Sequence, residues 1–183
     1  IELLSSQVER CNQILKRLSL NPIEEDDFID EDFNFKKYIN QIVNSFEETS
    51  NKKFILNFDQ DASPRKIPKS IEIIYGLRNF IGNANKFAKE KIFITLKSNN
   101  EYTEIIIEDD GEGYPSEILS KIGEPYLRSL RNKDKGKSGL GLGIFIGKNL
   151  LEKNFASLNC ENSKTRNGAE VSIRWKNQDL KKI

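Results

Sequence analysis

The sequence predicts an α/β fold: a two-layer sandwich in which a mixed sheet carries helices on one face, preceded by one helix of a helical hairpin. Three observations predict it. Strand-like and helix-like stretches are interleaved through residues 33–176, and several neighbouring strands are joined by links too short for a helical crossover, as between Lys97 and Tyr102. The first twenty residues follow a different rule, with apolar residues alternating at steps of four and three. The composition, 183 residues with 37% hydrophobic and 31% charged, supports one full core and an appendage.

Taken in order, residues 1–20 place Leu4, Val8, Cys11, Leu15 and Leu18 on a heptad seam. That seam suits a helical bundle better than a lone surface helix. Asn21-Pro22 ends it, and an acidic linker runs to Asp32. Asp32-Phe33-Asn34-Phe35 reads as extended. Lys36–Ser50 reads as a helix with Tyr38, Ile39, Ile42, Val43 and Phe46 inward. Lys53–Phe58 alternates as a strand. Ser70 is placed to cap a helix running to about Ala88. Strands follow at Lys91–Lys97 and Tyr102–Asp109, then a short helix at Glu117–Ile122 and a polar, charged loop over 124–138. Leu140–Asn154 reads as an apolar helix. Ser157–Glu161 and Ala169–Trp175 read as a closing hairpin, and Lys181-Lys182 as a solvated end. The domain plan is therefore 1–20, linker 21–32, domain 33–176 and tail 177–183.

Bulk properties exclude several functions. A net charge of +1, from 29 basic and 28 acidic residues, advertises neither nucleic acid nor a membrane surface. No apolar run reaches the roughly 18–20 residues a membrane helix needs. The chain begins at Ile1 inside a helical pattern, so a natural N-terminus, with any membrane segment, is expected upstream. Cys11 and Cys160 lie far apart and form neither a metal nor a disulfide pattern. There is no histidine, which removes the commonest general base and metal ligand.

Three segments carry the chemistry. Asn79, Asn83, Lys86 and Phe87 share one side of a helix. An asparagine carboxamide oxygen suits magnesium, which keeps several waters and takes phosphate oxygens. A polar helix face with incidental asparagines is the bland alternative. Asp109-Asp110-Gly111-Glu112-Gly113-Tyr114 follows an apolar strand. A carboxylate at the floor of a pocket accepts a hydrogen bond from the amine of adenine and rejects the carbonyl of guanine. An ordinary Asp-Gly turn is the alternative. Ser138-Gly139-Leu140-Gly141-Leu142-Gly143 opens a helix whose free N–H groups suit phosphate. It is not a Walker loop, because no Gly-Lys-Ser/Thr closes it.

In this order and spacing, Asn79-x-x-x-Asn83-Ala84-x-Lys86-Phe87, Asp109-x-Gly111-x-Gly113, Glu124-Pro125-Tyr126 and Gly139-Leu140-Gly141-Leu142 resemble the N, first-glycine, F and second-glycine boxes of sensor histidine kinases. The resemblance covers about residues 33–176. Gln7–Cys11, Gly123–Tyr126, Phe145–Glu152 and Gly168–Val171 look like the redox-sensing kinases of the RegB/PrrB type. The resemblance implies the Bergerat ATP-binding sandwich shared with gyrase, MutL and heat-shock chaperone ATPases. It implies that Asn83 coordinates magnesium, that Asn79 and Lys86 place phosphates, and that Phe87 and Tyr114 border the nucleotide. Asp109, with Gly111 and Gly113, would read adenine. Residues 124–138 would be the ATP lid, with Arg128, Arg131 and Lys137 available to the γ-phosphate. The backbone at Ser138, Gly139, Leu140, Gly141 and Leu142 would cradle phosphate.

By the same likeness, residues 1–20 are the second helix of a dimerisation and phosphoacceptor hairpin, and the partners are a second copy and a response regulator. The location implied is the cytoplasmic side of a bacterial inner membrane. Lys137 stands where the family often has glycine, which would stiffen the lid. With no acceptor histidine, this chain is expected to bind ATP without phosphorylating itself. Cys11 is either a packed seam thiol or, by the RegB likeness, a redox-responsive one. Other ATPases of the fold, an anti-sigma-factor kinase and a non-catalytic dimerisation module are the competing readings.

Overall fold

The first described helix starts where a side chain caps it. Asn34 is extended, and its Oδ1 accepts from the Lys37 N–H at 3.1 Å. In the computed structural model, which describes residues 34–59, 67–124 and 142–183, helix α1 then spans Phe35–Glu47. Phe35, expected to be extended, is its first residue, and its ring lies 4.6 Å from that of Trp175. Tyr38, Ile39, Ile42 and Val43 are buried as their spacing requires.

Strand β1 (Lys53–Phe58) leads to helix α2 (Ile71–Phe87), capped by Ser70, whose Oγ accepts from the Ile73 N–H. The Tyr38 hydroxyl donates to the Pro68 carbonyl and accepts from the Ser70 N–H, tying α1 to the start of α2. Strands β2 (Lys91–Ser98) and β3 (Tyr102–Asp109) form a hairpin. A short helix α3 (Ser116–Leu119) follows, shorter than the expected Glu117–Ile122. The chain then turns through Gly123 at φ +94°. Helix α4 (Gly143–Lys153) feeds the antiparallel pair β4 (Ala156–Asn162) and β5 (Ala169–Lys176).

The sheet order is β1-β2-β3-β5-β4, with β1 parallel to β2 across the α2 crossover and every other pairing antiparallel. This is the mixed sheet expected from the short links. Ile92, Ile94 and Leu96 on β2 match Asp109, Ile107 and Ile105 on β3 in register, and Ile107 and Ile105 match Val171 and Ile173 on β5. All of these are buried, on the face that α2 packs against. The opposite face carries Lys97, Glu104, Glu108 and Arg174, with Arg174 paired to Glu104 at 2.9 Å.

Helices α2 and α4 meet backbone to backbone at Gly76 and Gly147. A Cβ on Gly147 would lie 3.1 Å from the Gly76 carbonyl oxygen, and one on Gly76 2.6 Å from Leu151 Cγ. Of α4, only Gly147 and Leu151 are buried, although the sequence reads as a strongly apolar helix. At the end of the chain Lys181 and Lys182 are exposed, as expected. Residues Leu180–Lys182 form a 3-10 turn that buries Leu180 and leaves Lys181 and Lys182 outside. A leucine between charged residues still finds the core when the turn brings it there. The leading heptad helix and its linker lie outside the described residues.

Candidate functional site

The C-terminal half of α2 presents the first group of side chains. Asn79, Asn83, Lys86 and Phe87 are all half-buried. The Asn79 amide nitrogen donates to the Tyr75 carbonyl at 2.8 Å. Its oxygen points at the start of α4, 3.4 Å from where a Cβ on Gly143 would stand. The Gly76–Gly147 approach sets that closeness, bringing the first and third sequence motifs together. The Asn83 side chain engages no hydrogen bond among the described residues. The Lys86 ammonium lies 5.3 Å from the centre of the Phe87 ring.

The second group is built on the end of β3. Asp109 is 2% exposed. Its Oδ1 accepts from the Gly111 N–H at 2.8 Å and from the Ala169 N–H at 3.3 Å. Its Oδ2 takes no hydrogen bond among the described residues. Burial pushes its carboxyl above the ordinary value of 3.8. The two N–H groups offset part of that rise, and the Asp110 charge adds to it. A Cβ on Gly111 would stand 2.6 Å from the Phe87 carbonyl oxygen, so the turn after β3 lies directly against the end of α2.

Tyr114 closes this turn. Gly113 takes φ +73°, a conformation that glycine adopts freely. The Asn162 side chain, from the end of β4, then holds both backbone groups of Tyr114. Oδ1 accepts from its N–H at 2.6 Å and Nδ2 donates to its carbonyl at 3.0 Å. The Tyr114 ring is buried. Nearby Cys160 is half-buried, and burial pushes its thiol up to about 11, with the Lys148 charge working the other way.

The structure thus gathers Asn79, Asn83, Lys86, Phe87, Asp109, Gly111, Gly113, Tyr114 and the α4 N-cap residue Leu142 around the ends of α2, β3 and α4. Arg128, Ser138, Gly139, Leu140, Gly141 and Cys11 lie outside the described residues. Three residues that sequence reasoning passed over hold the site. Asp110 accepts from the N–H groups of Lys89, Glu90 and Lys91, pinning the turn between α2 and β2. Asn162 clamps Tyr114. Gly168 passes so close to Asp109 that a Cβ would fall 1.9 Å from its carbonyl oxygen. The Asp-Asp doublet hinted at the first. Gly168 stood out only as part of the RegB-like segment Gly168–Val171, and nothing local marked its contact or that of Asn162, because their partners are about fifty to sixty residues away in sequence.

Known proteins are similar to this chain. Residues 69–179 match the family described as histidine kinase-, DNA gyrase B-, and HSP90-like ATPase, and the chain belongs to that family. Within it, the chain carries the ATPase domain found in sensor histidine kinases. Sensor histidine kinase RegB of Cereibacter sphaeroides is 39% identical over 119 residues, covering 57% of this chain and 26% of RegB. The chain therefore spans about a quarter of the length of that relative. The mycobacterial sensor histidine kinase MprB superposes with a TM-score of 0.67 at 18% identity, covering 79% of this chain and 96% of the solved one. Full-length ShkA, solved in complex with AMPPNP, gives 0.63 at 18% identity, covering 78% of this chain and 30% of ShkA. These two likenesses bear on the fold. Among the described residues no helix is long and apolar enough to cross a membrane.

Proposed function

We propose that this chain binds Mg·ATP and donates the γ-phosphoryl group to a histidine of its parent sensor kinase, for relay to an aspartate of a response regulator. The observation that carries the reading is the state of Asp109. One carboxylate oxygen is fixed by two backbone N–H groups, and the other, on a residue only 2% exposed, takes no hydrogen bond among the described residues and is not itself sealed off. A carboxylate held this way suits an exocyclic amine, as adenine offers. The nucleotide in ShkA supports the same ligand class.

Around that anchor each residue has a proposed part. Phe87 and Tyr114 border the base, and Gly111 and Gly113 let the backbone approach it. Asn79 and Lys86 place phosphates. Asn83 fits magnesium, since its carboxamide is a hard oxygen donor on a half-buried face with no hydrogen bond among the described residues. When bound there, the metal would neutralise phosphate charge. Arg128 and the backbone of Ser138–Leu142 complete the phosphate contacts. Catalysis on this reading is positioning and charge neutralisation, as in phosphoryl transfer generally.

The chain contains no histidine, so the acceptor must come from other sequence. The proposed partners are a second copy, joined through the hairpin to which residues 1–20 belong, and a response regulator. The proposed location is the cytoplasmic face of a bacterial inner membrane. A redox role for Cys11 rests on the RegB likeness alone.

The test supplies the missing half. Incubated with labelled ATP, magnesium and a separate histidine-bearing helical hairpin from the parent kinase, the chain labels the hairpin. Asn83→Ala removes the labelling. Free phosphate release with no hairpin labelling would make the protein an ATPase of the same fold instead.

A further inference from the structure

The open face of the sheet, away from the helices, carries a row of like charges. Glu108 on β3 stands opposite Glu170 on β5, and Glu170 stands opposite Glu161 on β4. Carboxylates directly opposite one another on a sheet destabilise it. Burial, then the charges of Glu108, Glu161 and Glu104, push the Glu170 carboxyl above its ordinary value of 4.5, with Lys164 working the other way. Strand packing and charge alone therefore give no reason for a glutamate at position 108, next in the chain to Asp109.

What Glu108 does is fasten the loop between β4 and β5. Its Oε1 accepts from the Ser163 hydroxyl at 2.7 Å and from that of Thr165 at 3.4 Å. Ser163 is only 6% exposed, so water does not readily replace the glutamate. The Ser163 oxygen also accepts from the N–H groups of Thr165 at 3.3 Å and Arg166 at 3.2 Å, which folds the loop back on itself. The Arg166 guanidinium lies 3.9 Å from the centre of the Phe93 ring, and Phe93 is the β2 residue opposite Glu108. The loop is thus held at two adjacent points of the open face. Its other end touches Asp109. The Ser163 N–H donates to the Gly168 carbonyl at 2.8 Å, closing the loop at its base. Gly168 lies against the Asp109 backbone, and the Ala169 N–H donates to Asp109 Oδ1 at 3.3 Å. That bond is longer than the 2.8 Å one from Gly111, so a small shift of the loop breaks it first. A continuous path therefore runs from Glu108, through Ser163 and Gly168, to the carboxylate of its own neighbour on the other face of the sheet.

We infer that Glu108 is a positioning residue for the adenine site: by holding the β4–β5 loop through Ser163, it keeps the Ala169 N–H on Asp109 and so aims the open carboxylate oxygen at the 6-amine. The inference rests on the ATP reading above and assigns part of base recognition to a side chain that touches no part of the nucleotide. It also accounts for the charge row. The repulsion from Glu170 is tolerated because a carboxylate at 108 is the acceptor that the loop hydroxyls need.

The test compares ATP with purine riboside triphosphate, which has hydrogen in place of the 6-amine, by calorimetry with magnesium on the 183-residue chain. Wild type is expected to prefer ATP about 30-fold, the size of one hydrogen bond to a charged group. Glu108→Ala and Ser163→Ala should each cut that preference to about fivefold through weaker ATP binding, with purine riboside triphosphate affinity kept within about twofold. Glu108→Gln keeps an acceptor oxygen for the Ser163 hydroxyl and should retain the wild-type preference. In an Asp109→Asn background, Glu108→Ala should change neither affinity further. Ser163→Ala leaves the charge row intact and carries the test if Glu108→Ala does not fold. A merely structural role would weaken both nucleotides together. That result overturns the inference, and so does a wild-type preference that persists in both alanine variants. A wild type that binds the two nucleotides alike, or neither, would overturn the reading of Asp109 itself and this inference with it.

Discussion

Asp109→Asn separates the proposed adenine-reading role of this residue from its structural one. The asparagine oxygen can keep both hydrogen bonds that Oδ1 makes, to Gly111 at 2.8 Å and Ala169 at 3.3 Å. What changes is the other atom: an open acceptor becomes an N–H donor and the charge disappears. Toward an exocyclic amine this replaces a charge-assisted hydrogen bond with two opposed donors, a loss of about 3 kcal/mol, or roughly 100-fold in affinity. Stability should move the other way. Burial raises the Asp109 pKa, so the folded state favours the neutral form. For an acid with a raised folded pKa, stability is greatest below the unfolded value and falls as pH rises through the folded one. At neutral pH the wild type carries that penalty and the asparagine does not. The variant should therefore melt no lower than wild type while binding ATP about 100-fold more weakly, and its ATP and GTP affinities should converge. Calorimetric titration with each nucleotide, beside thermal melts at pH 7, reads all three. An ATP affinity within threefold of wild type, or a melting temperature lowered by more than about 5 °C, would refute the reasoning.

Two further substitutions probe the groups that hold Asp109 in place. Asp110→Ala frees the N–H groups of Lys89, Glu90 and Lys91, but water can reach them, so the loss is about 1–2 kcal/mol and the melting temperature falls roughly 3–6 °C. Burial alone would raise the Asp110 pKa, but the hydrogen bonds from Glu90, Lys91 and Lys89 outweigh it and the folded value is lowered. Its contribution is thus present above the ordinary carboxylate value of 3.8 and is lost as pH falls through the lower folded value. Melts at pH 7 and pH 3 should show the gap between wild type and variant shrinking in acid. Gly168→Ala puts a Cβ 1.9 Å from the Asp109 carbonyl oxygen and 2.5 Å from its Oδ1. Backbone must move, costing about 2–4 kcal/mol, with ATP affinity falling as Asp109 shifts. A melting temperature within 2 °C of wild type, as an order-of-magnitude bound, would contradict the close approach.

Most of the fold was legible because its signals are periodic or local. The strands Lys53–Phe58 and Tyr102–Asp109 fall where apolar alternation places them, and Ser70 caps α2 as its position before the helix suggests. Boundaries were harder. Phe35 reads as extended beside Phe33 and Asn34, yet the Asn34 cap recruits it into α1, where it packs on Trp175. Leu180 gives no periodic cue at all, and only the 3-10 turn brings it to the core. In the site, the residue types that touch ligand in the resemblance could be picked out by spacing. Those that hold them could not, because Asn162 and Gly168 act across 48 and about 60 residues of chain.

The holding residues also explain why the motifs are separated in sequence. The proposed selection by Asp109 needs an oriented carboxylate, and the two N–H groups that orient it come from Gly111, two residues on, and Ala169, sixty residues on. The long-range bond exists because β5 lies beside β3, with Glu108 opposite Glu170 in register, and because Gly168 has no side chain to keep the strands apart. Asn79 meets the start of α4 for a related reason: Gly76 and Gly147 let two helices touch through their backbones. In both places a glycine opposite a polar side chain permits an approach that any larger residue would prevent. Most of the chemistry-bearing residues therefore sit toward the ends of their elements, with Asn79 in the middle of its helix, and the glycines sit where those elements must come closest. A substitution at Gly76 or Gly168 should thus impair nucleotide binding as surely as one at a ligand-facing residue, but with a loss of stability that Asp109→Asn does not show.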